Sequence, residues 1–132
     1  MPAASTSSTP SQPSALPPSP EQSRFWADWT TQDFAQSKAS GQLEQLIAVL
    51  PVAATEQHGP HLPLKVDSAL VDGVIAAALP HLASHVPALF LPTQTVGLSP
   101  EHARFAGTLT LKAETTIRLW TDIAESVAAS GV

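Results

Sequence analysis

Residues 54–67 read ATEQHGPHLPLKVD, a stretch in which Glu56, His58, His61 and Asp67 set two acids and two imidazoles close together. The chain has five histidines and no cysteine. Any transition metal must therefore be held by imidazole nitrogen and carboxylate oxygen. One imidazole and two carboxylates suit a borderline divalent ion such as zinc or manganese. Gly59, Pro60 and Pro63 break the segment, so His58-Gly-Pro-His61 is not the helical metalloprotease pattern. If the backbone is extended from Glu56 to His58, their side chains point the same way and Gln57 points away. Gly59 and Pro60 then bend the chain and Asp67 returns at the start of the next helix. Glu56, His58 and Asp67 are thus candidate ligands of a shared cation. Plainer readings stand beside this one: Asp67 as a helix cap, Glu56 as an exposed loop acid, His58 as a hydrogen-bonded loop histidine.

The elements that must position these residues are legible as hydrophobic patterns. LEQLIAVLP at 43–51 is an apolar run closed by Pro51, as expected of a strand covered on both faces in a parallel sheet. It places Glu56 and His58 just beyond its carboxyl end, the edge at which ligand crevices form in open α/β sheets. Leu70, Val71, Val74, Ile75, Ala78, Leu79 and Leu82 recur at helical spacing, which predicts a helix over 68–82 ended or kinked by Pro80. VPALFLPT at 86–93 is a second buried strand. TVGLSPEHARFAGTLTL at 95–111 reads as a long loop running into a short strand near 108–111. From Thr110 to Gly131 the pattern is an amphipathic helix. Ile117, Trp120, Ile123, Ala124 and Val127 form its apolar face, Arg118, Asp122 and Glu125 its polar face, and Gly131 its stop.

Upstream, FWADWTTQDF at 25–34 gathers Phe25, Trp26, Trp29 and Phe34 into an aromatic anchor for the core. Thr30 or Thr31 caps a short helix reaching about Lys38. Residues 1–23 are almost entirely Pro, Ser, Ala, Thr and Gln and cannot bury enough apolar surface to offset their ordering entropy. They are expected to be a disordered tail, with residues 24–132 forming the domain. Strand, helix, strand, helix in that order predicts an α/β fold with a mainly parallel sheet.

Composition excludes several classes. The formal charge is −5 with no basic run, which gives nucleic-acid binding little electrostatic support. The longest apolar run, LIAVLPVAA at 46–54, is far shorter than a membrane span and contains a proline. The absence of cysteine and of a secretory signal pattern leads to the expectation of a cytoplasmic protein.

LPVAATEQHGPHLPLKVD resembles the signature of the creatininase (creatinine amidohydrolase) family, which reads close to LPxGxxEQHGPHLPLxxD. LPTQTVGLSPEHARFAGTLTL is similar to the family's second motif, a proline-ended strand followed by GxSxEHxxFPGTLTL. The resemblance covers roughly residues 43–132. It implies a three-layer α/β/α sandwich with a mostly parallel sheet, homo-oligomers that are often hexamers, and two divalent ions, zinc or manganese in most members and iron in some. Carried over by motif, Glu56 binds the first metal, His58 the second, and Asp67 bridges both. Ser99 corresponds to a serine near the substrate, while His61 and His102 orient ligands. The activity implied is hydrolysis of a C–N bond in a cyclic amide, a formamide or a specialised peptide by a metal-bridged hydroxide.

Two departures from the pattern are local: Ala53 replaces a glycine and Ala106 a proline. A third is larger. The family supplies a further histidine and glutamate from a later strand, and its general acid or base further on, beyond Val132. The resemblance therefore implies the N-terminal part of a longer hydrolase, with little activity alone and an open sheet edge. The competing expectation is a non-catalytic remnant that binds a partner or self-associates through that edge.

Overall fold

The structure is a computed structural model and describes residues 22–132. The expected disordered tail at 1–23 falls almost wholly outside the described residues. Gln42 to Leu46 do not open as a strand: Leu43–Gln45 form a 3-10 turn and β1 is only Ile47–Val49. The reason is the spacing of Leu43 and Leu46, which lets one turn bury both, at 1% and 9% exposure. β2 is Ala88–Phe90 and pairs parallel with β1, Ile47 opposite Ala88 and Val49 opposite Phe90. The ladder continues past the strands through Leu91 N–H to Val49 O, Gln94 N–H to Pro51 O and Ala53 N–H to Gln94 O. Pro51 therefore faces β2 with its carbonyl, and its ring nitrogen costs this ladder nothing that Gln94 uses.

Three helices surround the pair. α1 spans Thr31–Ala39 and begins at a capping box in which Thr30 and Asp33 satisfy each other's backbone N–H. α2 spans Val66–Ala78 and passes directly into a 3-10 turn at Leu79–His81, where Pro80 ends it. α3 spans Ala113–Ser130 and stops at Gly131, whose φ of 104° is the left-handed conformation a glycine accepts without a steric penalty. Side chains alternate across a strand, and α3 meets Ala48 and Leu50 on one face while α2 approaches Phe90 on the other. The architecture is α/β with helices on both sides of a parallel sheet, as the element order predicts.

The core is compact and sits at one end. Trp29, Leu43, Leu46 and Leu89 are buried together, with Trp26, Phe34 and Val132 against them. Phe34 packs between the two tryptophans at ring distances of 4.6 and 5.1 Å. Phe25 leaves this cluster and lies 6.1 Å from Phe90 instead, because Arg24 O accepts from Phe90 N–H and draws the arm along the edge of β2. The other edge of β1 carries no strand among the described residues.

Three expectations need correction. Helix α2 starts two residues earlier than the apolar period suggests, and its face is narrower: Leu70 and Val74 are 62% and 67% exposed while Val71 and Ile75 turn inward. In α3, Ile117 is 65% exposed, and the stripe toward the sheet runs instead through Thr116, Leu119, Ile123 and Val127. Residues 108–111 form no strand; Leu109 makes an isolated antiparallel bridge to Thr55.

Candidate metal centre

Two loops meet at the carboxyl end of β1, and each holds the other. Thr55 Oγ1 donates to Thr95 O at 2.7 Å, and Leu109 N–H donates to Thr55 O at 2.9 Å. Gln57 N–H reaches Thr108 Oγ1, Ser99 N–H reaches Thr110 Oγ1, and Leu111 N–H closes onto Gly97 O. At Gly97 the backbones approach so closely that a Cβ would stand 2.9 Å from the Ala53 carbonyl oxygen. The threonines and glycines of the second motif thus frame the first.

Within this frame Glu56, His58 and Asp67 converge, one donor atom from each lying within 4.8 Å of the others. Asp67 sits in the first turn of α2, not at its cap, which is Lys65 with no side-chain bond. A carboxylate there is favoured by the helix dipole. His58 is fixed from both sides: Nδ1 is 3.0 Å from Glu56 O and Nε2 is 3.2 Å from Asp67 Oδ1. The Glu56 carbonyl, followed by the Asp67 charge, pushes the His58 pKa up against the opposing effect of burial. With Nδ1–H committed to a backbone carbonyl, Nε2 is the nitrogen turned toward the acids.

On its other side Glu56 meets Ser99 and His102. Ser99 is 1% exposed, and its hydroxyl is the main influence holding the Glu56 carboxyl below its ordinary range; the charges of His102 and His58 add to this. His102 Nδ1 lies 3.0 Å from Glu56 Oε1, but off the line along which a ring N–H donates. Neither Ser99 Oγ nor His102 Nδ1 has an aligned partner among the described residues. Both therefore act on the Glu56 charge by proximity more than by directed bonding. Glu101, which the sequence reading passed over, joins Glu56 and His102 in a second three-donor group within 4.8 Å. Its only signal was its place beside His102 in SPEH.

His61 is not brought to the cluster. It is exposed, its ring lies over Gly59, and no hydrogen bond among the described residues links it to Glu56, His58 or Asp67. His81 and His85 are exposed as well. The cluster opens into a cleft of about 660 Å³ lined in part by Glu56, Asp67 and Ser99. A more apolar cavity of about 450 Å³ between α2 and the Phe25–Phe90 pair contains none of the candidate ligands. Two carboxylates and an oriented imidazole, partly shielded and drawn from a loop and a helix start, are a donor set that fits a divalent cation.

A family model described as creatininase, creatinine amidohydrolase, matches residues 27–132. The chain belongs to the creatininase family. The mycofactocin precursor peptide peptidase of Mycobacterium tuberculosis is 37% identical over 86 residues, 61% of this chain and 34% of that protein. Its counterpart in Mycolicibacterium smegmatis is 33% identical over 79 residues, 57% of this chain and 32% of that protein. Among solved structures, a creatinine amidohydrolase (creatininase) superposes with a TM-score of 0.68 at 30% identity, covering 85% of this chain and 42% of that one. A mutant creatininase of the Zn–Zn type gives 0.68 at 27% identity, covering 85% of this chain and 43% of that one. The chain spans about a third of the length of the curated relatives it matches. No helix among the described residues is long and apolar enough to cross a membrane.

Proposed function

We propose that this chain carries metal ligands of a metal-dependent amidohydrolase that cleaves the C–N bond of an amide. By the family pattern, Glu56 would hold one divalent ion and His58 another, zinc or manganese, with Asp67 shared between them. The observation that carries this reading is the convergence of the three donors within 4.8 Å at the carboxyl end of β1. Bound divalent ions supply Lewis acidity and lower the pKa of water toward neutrality. The chain's own residues do the holding. The Glu56 carbonyl orients the His58 ring, Ser99 and His102 keep the Glu56 carboxyl ionised, and the start of α2 presents Asp67. Ser99 also lines the cleft, which supports a place beside the substrate. The relatives are named for a precursor peptide and for creatinine, and an amide C–N bond is the chemistry proposed here. Self-association belongs to the same family reading and is read by light scattering.

Elemental analysis of the purified chain and of Asp67→Ala tests the proposal. Near-stoichiometric zinc or manganese in the first, falling by about tenfold or more in the second, is expected. A metal-free chain, or equal metal in both, overturns it. Metal-free protein that co-purifies with one defined chain favours a partner-binding module instead.

A further inference from the structure

We infer that Trp120 is a specificity-determining residue: with Leu70 and Leu98 it forms an apolar wall that receives an aromatic substituent of the amide substrate. This rests on the amide-hydrolase reading above and deepens it. The cleft of about 660 Å³ is lined by two kinds of side chain. Its lining includes Glu56, Asp67 and Glu101 and also Leu70, Leu98 and Trp120, which are 62%, 45% and 39% exposed. Three large exposed apolar side chains lining one cleft with convergent polar groups are the composition of a ligand pocket.

Helix α3 explains why the indole is there. Thr116, Leu119, Ile123 and Val127 turn toward the sheet, and Trp120 follows Leu119 by one residue, so it sits at the margin of the packed stripe. The other two tryptophans pack on Phe34 in tilted ring contacts. Among the described residues no aromatic ring packs on Trp120. The part of Trp120 left exposed can take a flat group in an offset or edge-to-face arrangement. The wall therefore suits an aromatic side chain of the amide.

The test is titration of the chain, with and without one equivalent of zinc, with N-acetylphenylalaninamide and N-acetylglycinamide, following the indole N–H resonances. The Trp120 resonance is expected to move with the aromatic amide while those of Trp26 and Trp29 stay. The aromatic amide should bind about fivefold tighter than the glycine amide. Trp120→Ala should abolish this preference while zinc affinity is unchanged, and Trp120→Phe should keep it. An unmoved Trp120 resonance at saturation, or equal affinity for the two amides, overturns the inference without any variant. A Trp120 shift in a chain that binds no zinc upholds the wall and removes the metal reading, so the two failures are separable.

Discussion

The corner around Leu43 and the rim around Glu56 are held by different forces. At the corner, Trp29, Leu43, Leu46 and Leu89 exclude water, and each fully buried leucine contributes roughly 2 kcal/mol by burial. At the rim no large hydrophobic side chain is fully buried; two loops are tied by threonine hydroxyls, backbone N–H groups and one close glycine contact. Individually such bonds contribute only about 1 kcal/mol. They fix direction, which is what ligand donors need, while the corner supplies the cohesion that keeps the sheet in place.

Breaking the corner should give the largest effect. Leu89→Ala is expected to cost about 2–5 kcal/mol, read as a lower denaturation midpoint; a loss under about 1 kcal/mol would show that the corner is not the core. Gly97→Ala probes the rim. Its Cβ meets the Ala53 carbonyl, so the expected cost is about 1–3 kcal/mol together with roughly tenfold weaker zinc binding. Unaltered zinc affinity there would mean that the frame does not set the donors. The capping box of α1 is a smaller lever. Thr30→Ala should cost about 1 kcal/mol in chemical denaturation.

Asp33 gives that box a pH signature. The Thr30 hydroxyl, then the Thr30 N–H, hold its carboxyl below the ordinary 3.8. A folded-state pKa lower than the unfolded one adds stability above the unfolded value, which is lost as pH falls through the folded one. The melting-temperature gap between the native chain and Asp33→Ala should therefore be flat near neutrality and shrink below 3.8; a gap that widens on acidification contradicts the cap. Arg118→Ala removes an exposed contact to Asp122 at 3.8 Å and should change stability by less than about 0.5 kcal/mol.

The legible parts of the sequence were those governed by local rules. Thr30 caps, Gly131 stops a helix, and the apolar runs around Ala48 and Leu89 pair in parallel, each for reasons confined to a few neighbours. The spacing of Glu56, His58 and Asp67 left plainer readings open; the likeness of EQHGPHLPL, with Asp67 at the same spacing, to a family motif is what singled out their convergence. Less legible was anything settled by packing. Leu43 and Leu46 look like strand residues until the 3-10 turn buries both on one side. Ile117 and Leu70 match a helical period yet face outward, since an apolar period wider than the contact surface cannot say which side is covered. Glu101, Thr55 and Thr108 carry no pattern of their own; their roles come from contacts between segments some 40 to 50 positions apart.

Residue 56 enters the candidate centre twice, with its carboxylate and with the carbonyl that meets His58 Nδ1. The peptide plane after Glu56 carries that carbonyl, so the main chain helps set the direction in which the His58 ring points.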